Sequence, residues 1–263
     1  MSAEDSTPPA PSDPLFNLSL GKGLQVLQTF MAQRTLTLGE IARLTDMNKA
    51  SAQRAVHTLE VLGYVGRDPR SRRFRLLPKV IELGFNYLVG HPLVRLAHPY
   101  LAQLAQASGE TASLTEPVDQ SMVYIAQIMT TQTIPVLTPV GMRIPMYCTS
   151  SGRAYLGCLD DGEIRQRLAA APREARTPST LTDIEAILTR IHTARHLGYA
   201  INCEELFLGD MGIAAPIVDR HSVPVAAVHL SPPTSRWTLE EATQRLAPLV
   251  RDCARSISES LAH

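Results

Sequence analysis

Ala50, Gln53, Arg54 and His57 fall at i, i+3, i+4 and i+7, so on a helix they share one side. Their chemistry is that of reading base edges. An arginine pairs with guanine O6 and N7, a glutamine with adenine N6 and N7, and an alanine methyl rests on a thymine methyl. Lys49 and Ser51, at the start of the same stretch, are grouped with them as DNA-binding residues. A short way on, the chain reads YVGRDPRSRRFRLLP, which gathers Arg67, Arg70, Arg72, Arg73 and Arg75. Guanidinium groups packed so densely suit a phosphate backbone, where point charge matters more than base order.

Positioning that face requires a helix with an inner stripe, and Ala52, Val56, Leu59 and Leu62 supply one opposite the polar side. Asn48 is placed to cap this helix, Lys49–Leu62, and Gly63 to end it in a left-handed conformation. Upstream, Leu20, Leu24, Leu27 and Met31 predict a helix over Leu18–Met31. A second helix is predicted over Thr37–Thr45 with Thr37 as its cap, and Asp46-Met47-Asn48 forms a tight turn. Tyr64–Arg67 and Arg73–Leu76 read as short strands joined by the turn chemistry of Asp68-Pro69-Arg70-Ser71-Arg72. Three helices and a basic hairpin make a winged helix-turn-helix over residues 15–78. Residues 1–14, with four prolines, read as a disordered tail, and Lys79–Leu88 as a spacer helix within a linker at 79–92.

Residues 93–263 form the body. Leu93–Ala107 predicts a helix, followed by strand-like ASLTEPV, MVYIAQI and IPVLTPV, and then by GMRIP as a turn region. Helices follow over Ser151–Leu159, Asp161–Ala171 and TDIEAILTRIHTARHLG, then strands at Tyr199–Asn202, Gly212–Val218 and Val223–His229, and a last helix over Leu239–Leu261. Helices flanking a mainly antiparallel sheet give an α+β body large enough for a small-molecule pocket.

The chain of 263 residues carries no formal net charge, but this balance conceals two opposite parts. Between Gly21 and Lys79 eleven basic residues meet four acidic ones, a surplus of +7, and the remainder carries −7. A cationic head on an anionic body is the footprint of a nucleic-acid binder with a non-binding partner domain. No apolar run approaches the roughly 18–20 residues of a membrane span. The acidic, proline-rich start is unlike a secretory signal, so a cytoplasmic location is expected. Cys148, Cys158, Cys203 and Cys253 form no CxxC pair, which argues against a disulfide framework or structural zinc. No cofactor is expected.

On these stretches the chain resembles the IclR family of bacterial transcriptional regulators over nearly all of residues 18–262. LGKGLQVLQTF, LTLGEIARLTDMNKASAQRAVHTLEVLGYVGRD, FRLLPKVIELG, SSGRAYLGCL, LGDMGIAAPI and VAAVHLSPPTSRWT carry the resemblance by their order and spacing. It implies a winged helix-turn-helix, a linker helix and a GAF-like effector-binding domain. Homodimers or dimers of dimers would bind near-palindromic operators and answer to small organic acids, often aromatic, with RNA polymerase a partner if the protein activates. PMYCTSSGRA is most similar to the branch that regulates aromatic-acid degradation. The resemblance places the effector site at Tyr147, Cys148, Thr149, Ser150, Gly152, Asn202, Gly212, His229 and Ser231. Some members carry a carboxylate, a cysteine and a serine at positions 202, 212 and 229, and this chain departs at all three. Glycine at 212 is then expected to make room for a larger ligand. His229 would give a carboxylate a charge-assisted hydrogen bond, or else be a neutral core histidine. Trp237, which follows the ligand-lining strand, is expected to report a bound aromatic acid.

The rival reading is an enzyme or ligand-binding module whose winged domain serves protein contacts. GxSxG, HExxH, P-loop and GxGxxG patterns are absent. His192 and His196 read as surface histidines, Cys148 as a small lining residue rather than a nucleophile, and the adjacent Glu204 and Glu205 point apart. A structural nucleoid protein would not need an acidic body with a ligand cavity.

Overall fold

The computed structural model describes residues 13–31, 33–132 and 138–262, and the chain divides into two compact units between Tyr87 and Leu88. Most of the expected tail and most of the expected strand IPVLTPV lie outside the described residues.

In the first unit the helices are α1 (Leu18–Thr29), α2 (Leu38–Leu44) and α3 (Lys49–Val61). Each begins where a short polar side chain takes over orphan backbone donors. Asn17 accepts from the amides of Ser19 and Leu20, and Asn48 Oδ1 accepts from Ser51 N at 2.8 Å. Thr37 and Glu40 form a reciprocal capping box. Gly63 follows α3 with φ of +79°, a conformation closed to most side chains. β1 (Val65–Arg67) and β2 (Phe74–Leu76) pair antiparallel, and Leu36 bridges to Phe74 beside them. The core is Val26, Phe30, Leu36, Ile41, Val56, Leu59, Val65 and Phe74.

Two expectations shift here. Leu62 is half exposed rather than inward, because it is the C-cap of α3 and lies past its last helical turn. Leu20 and Leu24 are exposed as well: α1 has apolar residues on two sides, and the head buries only the one bearing Val26 and Phe30. The uncovered leucines line an open groove of about 670 Å³ with Leu27, Leu62, Tyr64 and Leu83. Beyond it, α4 (Val80–Gly90) has no buried residue.

The second unit opens with α5 (Pro92–Ser108) and continues through β3 (Ala112–Val118), β4 (Ser121–Ile128) and β5 (Arg143–Pro145). Then come α6 (Ser150–Leu156), α7 (Asp161–Ala170) and α8 (Ile184–Leu197), followed by β6 (Ala200–Cys203), β7 (Met211–Val218) and β8 (Pro224–Leu230). The chain closes with α9 (Leu239–Glu241), a π-helical turn (Ala242–Leu246) and α10 (Ala247–Ala262), where one unbroken helix was expected. β5, read from sequence as part of a turn, pairs with Ser121–Val123 as an edge strand.

The strands form one antiparallel sheet in the order β5-β4-β3-β8-β7-β6. Alternation along each strand sends successive side chains to opposite faces. Ile213, Ala215, Ile217, Val228 and Leu230 form one face, in a core shared with Leu101 and Leu104 of α5 and with Val250 and Ile257 of α10. The intervening residues, Gly212, Ala214, Ala227, His229 and Ser231, face the layer of α6, α7 and α8.

Candidate nucleic-acid interface and ligand site

Lys49, Ala50, Gln53, Arg54 and His57 are all exposed along α3, with Ala52, Val56 and Leu59 buried behind them. Ser51 differs from its neighbours. It is buried on the side of α3 that faces the groove, so it is not part of the outward surface. On the wing, Arg67, Arg70, Arg72 and Arg75 are exposed. Asp68 folds the turn, its Oδ1 accepting from Arg70 N at 2.9 Å and Ser71 N at 2.7 Å.

Arg73 departs from the expected phosphate-binding row. Its Nη2 donates to Glu40 Oε2 at 2.9 Å and to Thr35 O at 3.0 Å, and its Nε donates to Thr35 Oγ1 at 3.1 Å. The Glu40 carboxyl lies below its usual range, chiefly through the Thr37 amide and hydroxyl and then through Arg73. Arg73 thus clamps the wing to the start of α2, and the other four arginines of the wing remain exposed.

The second cluster sits on the sheet face beneath α6. Ser150 N donates to Asn202 Oδ1 at 2.9 Å, and Asn202 stands opposite Gly212 in the β6–β7 register. A Cβ at Gly212 would lie 2.6 Å from Asn202 Oδ1, 2.6 Å from Ser150 Oγ and 2.9 Å from His229 Nε2. The space that a larger ligand was expected to gain from Gly212 is therefore filled by three converging polar atoms. His229 Nδ1 lies 3.2 Å from Ser231 Oγ and 3.4 Å from the Tyr124 hydroxyl. Burial pushes the imidazole down to about 4, which favours the neutral ring at physiological pH, the second of the two expected states. Burial, reinforced by Asp210, pushes the Tyr124 phenol up.

Thr149 caps α6, accepting from Gly152 N at 3.3 Å while donating to Pro145 O at 2.6 Å. A Cβ on Gly152 would come within 2.2 Å of Met146 Cα, a backbone atom that cannot swing aside. Gly152→Ala is expected to destabilise the second unit by about 1–3 kcal/mol or more, measured by urea denaturation. Tyr147 and Cys148 belong to the apolar layer instead of the polar cluster. The Tyr147 hydroxyl donates to Glu174 O at 2.7 Å, and burial pushes the Cys148 thiol up to about 11, which keeps it protonated and unreactive. Trp237 donates to Glu110 Oε1 at 2.7 Å with Arg245 over its ring, which ties it to that carboxylate. His192, exposed on α8, pairs with Asp161 at 2.9 Å.

Three contributors escaped the sequence reading. Tyr124 reaches the cluster from β4. Asp210 precedes β7 by one residue and shares the face of Gly212; the two-residue step from 210 to 212 was the available signal. Arg153 of α6 makes a buried bidentate pair with Glu205, both contacts at 2.6 Å, and its Nε donates to Tyr147 O at 3.0 Å. An arginine amid the small residues of SSGRA hinted at this partner.

Family models describe both parts of the chain. That of the IclR helix-turn-helix domain matches residues 19–69, and that of the bacterial transcriptional regulator IclR C-terminal region matches residues 85–259. The Pca regulon regulatory protein of Pseudomonas putida is 37% identical over 251 residues, covering 95% of this chain and 86% of that protein. The crystal structure of an IclR transcriptional regulator from Alicyclobacillus acidocaldarius superposes with a TM-score of 0.79 at 27% identity, covering 93% of this chain and 99% of the other. An IclR homolog from Microbacterium hydrocarbonoxydans, crystallised with 4-hydroxybenzoate, shares the fold at 24% identity, with a TM-score of 0.71 and coverage of 92% and 98%. Among the described residues no helix is long and apolar enough to cross a membrane.

Proposed function

The chain belongs to the IclR family of bacterial transcriptional regulators, and we propose that it binds a catabolic operator as a homodimer under control of a small organic acid. The observation that carries this reading is the exposed Gln53–Arg54–His57 face of α3 beside four exposed wing arginines. Each recognition helix enters a major groove, and the wings lie along phosphates. The exposed apolar residues of α1 and α4, Leu20, Leu24, Ile81, Leu83 and Phe85 among them, favour a second copy of the chain as their cover. Pairing of dimers, contact with RNA polymerase where the protein activates, and work in the cytoplasm extend the same proposal.

The effector site is the cluster of Ser150, Asn202, His229 and Ser231, with Thr149 and Gly152 shaping the loop above it. An aromatic acid is favoured because a structural relative was crystallised with 4-hydroxybenzoate. Anisotropy titration of duplexes from the region upstream of the protein's own gene, with and without aromatic and aliphatic acids, tests the whole scheme. Affinity is expected to fall steeply with salt, and an effector to change it about 5- to 150-fold, the usual range of allosteric coupling. The same acid should raise the melting temperature by mass action. Salt-insensitive or absent retention of every duplex would overturn the proposal.

A further inference from the structure

We infer that Asp210 is a specificity-determining residue of the effector site, and that an acid effector is bound together with one proton held between its carboxylate and the Asp210 carboxyl. The inference rests on reading the Ser150–Asn202–His229 cluster as that site.

Asp210 bridges to Pro233 just beyond β8, and Gly212, two residues on, stands opposite Asn202. The alternation that puts Gly212 on the face beneath α6 puts Asp210 there too. Asp210 Oδ1 is shut off from solvent and has no hydrogen-bond partner. Polar groups face this region from every neighbouring element. β4 brings Tyr124, and β8 brings His229 with Ser231 just after it. Glu204 and Glu205 come from the loop after β6, and Ser150 and Arg153 from α6, while Cys203 packs into the core on the opposite face of the sheet. The one guanidinium in this set, Arg153, is taken by Glu205, and Glu204 Oε1 accepts from Gly209 N at 2.8 Å. Among the described residues Asp210 has no salt-bridge partner.

An acid entering this cluster as its carboxylate would therefore meet a second carboxylate that no cation among the described residues pairs with, that only the Met211 amide eases, and whose Oδ1 is shut off from water. Two such charges cannot be buried together without a proton between them. Two groups could supply it. His229 is held neutral, its proton affinity pushed down to about 4 by burial. The Asp210 carboxyl is pushed up to about 7 by the same desolvation, so near neutrality it already carries the proton part of the time. Asp210 is the group that needs the smaller further shift. The product is a carboxyl–carboxylate hydrogen bond, of the short charge-assisted kind. Its balance is one proton drawn from solvent per acid bound above the Asp210 midpoint, and none well below it.

Calorimetric titration of the full-length protein with 4-hydroxybenzoate, from pH 6 to pH 9 in buffers of different ionisation enthalpy, tests this. For the wild type, affinity is expected to fall about tenfold per pH unit above the midpoint, with uptake of one proton. Asp210→Asn should abolish both the slope and the uptake, whereas His229→Gln should keep the slope. A flat wild-type profile, or a slope that survives in Asp210→Asn, overturns the proton-linked mechanism while leaving the effector site in place. Failure of 4-hydroxybenzoate, benzoate and pyruvate alike to bind at pH 6 overturns the acid-effector reading itself.

A ligand-free measurement separates these outcomes. A carboxyl raised in the folded protein keeps its proton where the unfolded chain has lost it, so wild-type stability falls as pH rises from about 4 to about 7. Asp210→Asn should therefore melt above the wild type at pH 8 and not at pH 4. Equal melting temperatures at pH 8 would remove Asp210 as a buried acid.

Discussion

Arg153→Met is expected to destabilise the second unit by about 3–5 kcal/mol, the range seen when one partner of a buried ion pair is removed. Both guanidinium nitrogens that face Glu205 lie 2.6 Å from its oxygens, and the third donates to the Tyr147 carbonyl at 3.0 Å. The arginine side chain is 1% exposed and that of Glu205 9%, so truncating one strands the other without water. The double variant Arg153→Met/Glu205→Leu should recover most of the loss, since the desolvation of two charges cancels much of their attraction. Urea denaturation of the three proteins reads the cycle. A single-variant loss under about 1 kcal/mol would show that the pair is not sequestered in solution.

The same pair has a functional consequence. It joins the loop before α6, through the Tyr147 carbonyl, to the segment that ends in Asp210. Thr177 Oγ1 and Thr180 Oγ1 hold that segment from the other side, each donating at 2.6 Å to the carbonyls of Glu204 and Glu205. Loosening Arg153 frees both walls of the polar cluster at once, so a variant that still folds should lose effector affinity without touching the effector.

The legible parts of the molecule are those decided by a few neighbouring residues. Asn48 and Thr37 announce their helices because a cap acts within three positions, and Gly63 ends α3 for an equally local reason. The outward polar face of α3 follows from a period of 3.6. What escaped was set by distant partners. Nothing in RSRRFR separates Arg73 from the arginines around it; Glu40, 33 positions away, does. Arg153 and Glu205 are 52 positions apart. Gly212 reads in one dimension as missing volume, yet three other segments fill the space. Ser51 looked like a member of the outward face until α1 was placed against it, and the second apolar stripe of α1 was invisible until the first had been buried.

Arg54→Ala and the wing substitutions should fail in different ways. Arg54 lies mid-helix on the exposed face, where a planar fork can take two acceptors of one guanine. Its loss is expected to cost about 1–3 kcal/mol per half-site and to relax preference at a single base pair. In a dimer on a two-fold operator the effects should roughly double, because the same pairing disappears from each half-site. In the proposed arrangement the exposed Arg67, Arg70, Arg72 and Arg75 are expected to meet phosphates and not base edges. Replacing each by alanine should weaken all sequences alike and shallow the log–log salt slope by about 0.9 for every phosphate no longer neutralised. Arg73→Ala belongs to neither class. It breaks the bonds to Thr35 and Glu40, so its effect should appear first as a lower melting temperature of the first unit. Titrating the variants against single-base operator changes at several salt concentrations separates the three patterns. If Arg54→Ala lowered affinity uniformly with a shallower salt slope, α3 would be gripping backbone, and base reading would have to be sought elsewhere in the head.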